Sequence, residues 1–168
     1  MVRRAGIHYS IANNEEVMIK AKASNVAVKF RHLVEVAAAV RQMELVRANS
    51  YLKNVINHKE CIPFRIYNGG VGKCAQAKQF KTVIGRWPRK AAKCMIDLLK
   101  NAASNCEFYG KDPCDFYIYH VQVNQAPVST RRTYRSHGRI TPYIRYNSHI
   151  NLILKEKISL VQQPFLFQ

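Results

Sequence analysis

The sequence predicts an α+β fold, and three observations carry that prediction. Residues 31–43, 44–59 and 89–109 have the composition or the three-and-four apolar spacing of helices. Residues 25–30, 116–123 and 149–154 read as short strands. Between the last two strands lie roughly 24 residues, from 124 to about 147, where an ordinary hairpin loop has about two to five.

Taken in order, residues 1–24 mix charged and small side chains without a clear period, the mark of an N-terminal arm ordered only by what holds it. A single domain is expected over 25–160. In 25–30, Val26, Val28 and Phe30 alternate with Asn25, Ala27 and Lys29. The stretch 31–43 is rich in Ala, Leu and Val and lacks Gly and Pro, which favours helix. In 44–59, Leu45, Ala48, Leu52, Val55 and Ile56 form one apolar face, with Arg47, Lys53 and Lys59 off it. An insertion, 61–87, then breaks the pattern with Pro63, Gly69-Gly70-Val71-Gly72 and Gly85. It interleaves Arg65, Lys73, Lys78, Lys81 and Arg86 with Phe64, Tyr67, Phe80 and Trp87. A loop this long is usually functional or ordered by a partner. Pro88 suits the first position of the third helix. Ala91, Ala92, Met95, Leu98, Ala102 and Cys106 make that helix's core stripe, and Gly110 ends it. In the last strand Ile150, Leu152 and Leu154 alternate with His149, Asn151 and Ile153. The segment 124–147 is either a disordered insertion or an arm continuing both strands. At twelve residues per side, such an arm would reach roughly 40 Å. Residues 161–168 form a tail with no evident role.

Charge sets the partner class. The 168 residues hold 27 Lys and Arg against 10 Asp and Glu, a formal charge of +17. Self-repulsion of that size disfavours a compact state unless a polyanion compensates it, and phosphate neutralisation with counterion release is the usual means. From Val121 to Gln168 there are seven basic residues and one acidic, Glu156. Five of the seven are arginines between Arg131 and Arg145, with no lysine or carboxylate among them. Arginine is favoured where planar, bidentate phosphate contacts and base stacking are needed. Tyr134, His137, Tyr143 and Tyr146 add ring faces for unstacked bases, and Gly138 offers a turn. Arg89, Lys90, Lys93 and Lys100 lie off the apolar stripe of the third helix and suit RNA phosphates.

Other chemistries find little support. Gly69-Gly70-Val71-Gly72-Lys73-Cys74 imitates a phosphate loop, but Tyr67 occupies the place of its first glycine and Cys74 that of its Ser or Thr. Cys61, Cys74, Cys94, Cys106 and Cys114 form no CxxC pair, and no His pair has ligand spacing, so neither metal nor cofactor is expected. Cys94 and Cys106 suit small core positions. The odd cysteine count and the absence of an apolar run after Met1-Val2-Arg3-Arg4 favour reduced thiols in a cytosolic protein, with no membrane partner. No nucleophile elbow or paired-carboxylate motif suggests an enzyme.

Four runs together resemble the large-subunit ribosomal protein family twenty-two. They are Cys61-Ile62-Pro63-Phe64-Arg65-Ile66-Tyr67-Asn68-Gly69-Gly70-Val71-Gly72-Lys73-Cys74-Ala75-Gln76-Ala77-Lys78, Gly85-Arg86-Trp87-Pro88, Val121-Gln122-Val123-Asn124-Gln125-Ala126-Pro127, and Arg132-Thr133-Tyr134-Arg135-Ser136-His137-Gly138-Arg139-Ile140-Thr141-Pro142-Tyr143. The resemblance spans roughly residues 20–157, and the glycine-rich segment looks like the insertion of archaeal and eukaryotic members. It implies three helices packed on a small antiparallel sheet, with a long extended β-hairpin. It also implies binding of several rRNA domains around the peptide exit tunnel, with the hairpin lining the tunnel. The tip would be Arg132, Thr133, Tyr134, Arg135, Ser136, His137 and Gly138. The expected RNA-binding set is Arg65, Lys73, Lys78, Arg86, Arg89, Lys90, Lys93, Arg131, Arg132, Tyr134, Arg135, His137, Arg139, Tyr143 and Arg145. Implied partners are large-subunit rRNA, neighbouring large-subunit proteins near the tunnel exit and the nascent polypeptide, with no nucleotide. Implied location is the cytoplasmic ribosome, with nucleolar passage during assembly. The lysine-rich tail of many eukaryotic members has no counterpart in the uncharged 159–168, so its contacts are not carried over. The rivals are a free regulator of messenger RNA, which would need a defined stacking platform, and a nucleotide-dependent enzyme resting on the glycine loop alone.

Overall fold

The computed structural model describes Tyr9 and residues 18–157. In chain order the elements are β1 (Met18–Val26), α1 (Phe30–Val40), α2 (Leu45–Ile56), β2 (Ile62–Pro63), β3 (Gly85–Arg86), α3 (Arg89–Phe108), β4 (Phe116–Gln125), β5 (Ser129–Tyr134), β6 (Ile140–Arg145) and β7 (Ser148–Glu156). This is an α+β architecture, as the alternation of helical and strand signals predicts.

Strands β1, β7 and β4 form an antiparallel sheet with β7 in the middle. Register decides its inner face. Leu154 stands opposite Ile19 and Ile118, Leu152 opposite Ala21 and Val121, and Ile150 opposite Ala23 and Val123. All nine belong to, or pack on, the apolar core. A bulge between Ile118 and His120 moves the inward set of β4 from even to odd positions, as an extra residue in one strand must. α1 lies against β4, α3 against β1, and α2 packs on α3. Leu33, Val36, Leu52, Val55, Met95 and Leu99 are all buried in the resulting core. Asn151 and Ile153, on the other face of β7, are also buried, so the alternation expected for this strand is lost at its centre. The outer edge of β4 is partly closed by the α1–α2 link, where Gln42 N–H donates to the Ile118 carbonyl (2.8 Å) and Ile118 N–H to that of Met43 (2.9 Å). That covers hydrogen-bonding groups an edge strand would otherwise expose.

Several expectations need correction. The strand expected at 25–30 lies at Met18–Val26, and Phe30 already starts α1. Its inward residues, Ile19, Ala21 and Ala23, are mostly small and separated by Lys20 and Lys22, so the pattern hides in what looks like a polar arm. Residues 18–24 are thus strand, and the rest of the expected arm, Tyr9 aside, lies outside the described residues, as does the tail 161–168. Pro88 occupies the cap position, one residue before α3. The insertion 61–87 is tied down by β2–β3 pairing, a bridge between Lys73 and Ile84, and a 3-10 turn at Ala75–Phe80.

The segment 124–147 continues the sheet. Beyond the Gln125–Ser148 pair, Ala126 N–H donates to the Asn147 carbonyl at 3.0 Å, and β5 then pairs with β6 from Ser129–Arg145 to Tyr134–Ile140. The β5–β6 ladder itself is six residues on each side, about 20 Å of that arm. A tight turn closes it. Arg135 N–H donates to the Arg139 carbonyl at 2.8 Å, and His137 and Gly138 take φ of 58° and 68°. That left-handed geometry is easy for glycine and tolerated by few other residues.

Candidate nucleic-acid interface

The hairpin presents its side chains almost entirely to solvent. From Pro127 to Tyr146 every residue except Thr133 is exposed, and β5 and β6 pack chiefly on one another. Arg131 pairs with Tyr143 and Ser129 with Arg145, so strand alternation puts these four side chains on one face. Arg132 and Tyr134 share the other with Ile140, Pro142 and Ile144. Arg135, Ser136, His137, Gly138 and Arg139 make the turn. Tyr134 is 74 % exposed and Tyr143 60 %. A free protein gains nothing from such exposure. A partner with π-faces and phosphates would cover both ring and cation.

The second group sits on the insertion and the start of α3, and part of it is structural. The Arg86 guanidinium donates to the Gly70 carbonyl at 2.6 Å, pinning the glycine turn, and Arg65 reaches the Phe80 carbonyl at 3.5 Å. Arg89 donates to His58 Nε2 at 2.7 and 3.2 Å, and the His58 ring lies 5.0 Å from that of Trp87. Lys73, Lys78, Lys90 and Lys93 are exposed. α3 begins with no side-chain cap and no carboxylate in its first turn, so its free N–H groups and cations present one sign of charge.

Insertion and body are joined by a residue the sequence did not single out. Glu35, buried in α1, accepts hydrogen bonds from the backbone N–H groups of Arg65 (3.0 Å), Ile66 (2.9 Å) and Tyr67 (2.7 Å). The hairpin root is held comparably. Asn147 donates to the Asn25 side chain (2.8 Å), Asn25 N–H donates to His149 Nδ1 (3.0 Å), and the buried Ser148 hydroxyl donates to the Val28 carbonyl (3.0 Å). Beside this root, residues of the β1–α1 link, the start of α3 and the end of β6 enclose a cleft of about 460 Å³. It brings together the expected residues Arg89, Lys90, Tyr143 and Arg145, and the ring face anticipated at Tyr146, with the unexpected Lys29 and His32. Burial, then the nearby charges of Lys29 and Arg86, push the His32 pKa below its ordinary value. The insertion cations Arg65, Lys73, Lys78 and Arg86 do not line that cleft, nor does the hairpin tip.

Residues 21–155 match the family described as Ribosomal protein L22p/L17e. The chain belongs to that family. It is 50% identical over 149 residues to the large ribosomal subunit protein uL22 of Phlebotomus papatasi, covering 89% of this chain and 80% of that one. With the protein of the same name from Lonomia obliqua it shares 53% identity over 144 residues, 86% and 77% of the two chains. The Drosophila melanogaster protein is 48% identical over 152 residues, 90% and 82%. Membership makes the chain a ribosomal protein and not an enzyme.

Local geometry agrees with treating the glycine cluster as a turn. The residues after Lys73 form a 3-10 turn rather than the long helix a phosphate loop requires. Cys61 is buried and its pKa is pushed up to about 11, by burial first and then by Cys74. Burial likewise raises the Cys94 and Cys106 pKa values. Cys61 and Cys106 are buried and Cys94 half-buried, and thiols raised by apolar burial are packing groups rather than nucleophiles. Among the described residues no helix is long and apolar enough to cross a membrane.

Proposed function

We propose that this ribosomal protein is a structural constituent of the large subunit that binds rRNA around the peptide exit tunnel. Its arginine hairpin lines the tunnel and supports subunit assembly and translation. The observation that carries this reading is the solvent-exposed hairpin, with five arginines between Arg131 and Arg145 and no carboxylate. It is supported by the naming of the relatives as large-subunit proteins and by the resemblance of the 132–143 run. The hairpin and α3 cations neutralise phosphates that would otherwise repel one another, holding rRNA segments together. Arg65, Lys73, Lys78 and Arg86 extend the contact along the insertion, neighbouring large-subunit proteins adjoin the body, and the tip faces the nascent chain. The protein passes through the nucleolus before residing in cytoplasmic ribosomes.

Sucrose-gradient sedimentation of a tagged copy, with a high-salt wash, tests the reading. The wild-type protein stays with the large-subunit peak, and Arg132→Glu with Arg135→Glu lowers its occupancy there. A wild-type protein left at the top of the gradient would overturn the assignment in favour of a free RNA-binding protein. Full occupancy by the double variant would remove the tip from assembly.

A further inference from the structure

We propose that the cleft beside the hairpin root is a pocket for one unstacked ribonucleotide. Its phosphates are held by Lys29, Arg89, Lys90 and Arg145, and its base lies on Tyr143 or Tyr146. The inference rests on the rRNA-binding reading and adds a particular site to it.

Four observations carry it. The volume, about 460 Å³, falls in the range that takes a small organic ligand. It is too small for a duplex about 20 Å across, and unstacked residues are what proteins read in RNA. The lining holds four permanent cations and no carboxylate. Among the described residues no ion pair engages Lys29, Lys90 or Arg145. Cations gathered around one hollow repel each other unless an anion enters it. Tyr143 and Tyr146 stand 60 % and 59 % exposed in the wall, and no described ring packs on either. That leaves π-faces free for a base, a contact worth about 1–3 kcal/mol in single-strand binders. Finally, the walls come from three segments far apart in sequence. The hydrogen bonds of Asn25, Asn147, Ser148 and His149 fix the hairpin root against the β1–α1 link. The pocket is therefore built before a ligand arrives, which lowers the ordering cost of binding. Occupancy would in turn fasten the hairpin to α1 and α3.

The test uses large subunits carrying the full chain. They are irradiated with ultraviolet light, digested with nuclease and protease, and nucleotide adducts are located by mass spectrometry. A mononucleotide adduct on Tyr143 or Tyr146 is expected, beside adducts on the tip. In assembled subunits carrying Lys29→Gln with Lys90→Gln, two exposed changes, the root adduct should fall about tenfold relative to the tip adducts. Adducts at the tip but none at the root in the wild type would overturn the pocket and leave the rRNA reading standing. The absence of adducts anywhere on the chain would overturn both. A carbodiimide cross-link from Lys29 or Lys90 to a carboxylate of another protein, without a root adduct, would make the occupant an acidic peptide and also overturn the proposal.

Discussion

Replacing Glu35 tests how the basic insertion is attached to the body. Its carboxylate is 1 % exposed and accepts three backbone N–H groups from successive residues, 65 to 67. A hydrogen bond to a charged group is worth about 1.5–3 kcal/mol, less the desolvation of the carboxylate, and an orphaned buried donor costs about 1–3 kcal/mol. Arg65 and Ile66 are exposed, so water can recover part of the loss in a truncated variant. Glu35→Ala should therefore cost about 3–4 kcal/mol. Glu35→Gln keeps the shape but turns an NH2 toward donors, and should cost about 2 kcal/mol. At about 2–4 °C per kcal/mol for a chain of this size, the melting temperature should fall by about 10 °C and 5 °C. The more specific assay is amide hydrogen exchange. In Glu35→Gln the amides of residues 65–67 should exchange about 30-fold faster, the equivalent of 2 kcal/mol, while those of β7 follow the global stability. A Gln variant with wild-type melting and wild-type exchange at 65–67 would refute the idea that the carboxylate holds the insertion.

Three further outcomes are expected. A Cβ on Gly85 would stand 2.8 Å from Cys61 Sγ and 3.2 Å from the Ile62 carbonyl oxygen, so Gly85→Ala should lower the denaturant midpoint by the equivalent of about 1–3 kcal/mol. Adding Cys61→Ala should recover part of that, and no recovery would place the strain at the carbonyl instead. Ser148→Ala leaves the Val28 carbonyl without its hydroxyl donor and should cost about 1–2 kcal/mol, with faster exchange of the β5–β6 amides if the root positions the hairpin. Stability should also fall in two steps as pH drops. His32 has a lowered pKa, from burial and then from Lys29 and Arg86, so the unfolded chain takes up its proton first. Its contribution is present above the unfolded value, about 6.5, and is lost as pH falls through the folded one. Glu60 is lowered chiefly by its hydrogen bonds from Arg47, so its contribution is present above the unfolded value, about 4.3, and lost below it as pH passes the folded value. Equilibrium unfolding against pH should lose the upper step in His32→Gln and the lower in Glu60→Gln.

Much of the fold is legible in the sequence because it rests on periodicity. α2 and α3 bury the stripes their three-and-four spacing announces, and β4 and β7 begin within a residue of their expected starts. β1 is less visible because alanines serve on its inner face, where β7 supplies the bulk. Glu35 resembles an ordinary surface charge in an alanine-rich helix. Its role depends on a loop thirty residues onward, and only tertiary structure brings the two together. The exposed cations of the hairpin were legible because clustering of arginine without carboxylates needs no folding to be seen. Lys29 and His32 were not, since each is unremarkable in its own segment and gains meaning from the cleft the three segments enclose.

Body and hairpin contribute differently to stability. The core lies between the sheet and three helices, and among the described residues the β5–β6 hairpin adds nothing to it. A two-stranded ribbon alone is marginal in water, so the hairpin's order depends on its pairing, its root and whatever surface covers it. Its five arginines repel one another in the free protein and are neutralised only by a partner. Arg132→Glu with Arg135→Glu should therefore leave the melting temperature of the isolated protein within about 1 °C of wild type, as surface substitutions far from a core do. The same variant should lose occupancy in the large subunit. A matching fall in both quantities would mean that the hairpin helps hold the body together, and that the assembly defect reports misfolding rather than lost phosphate contacts.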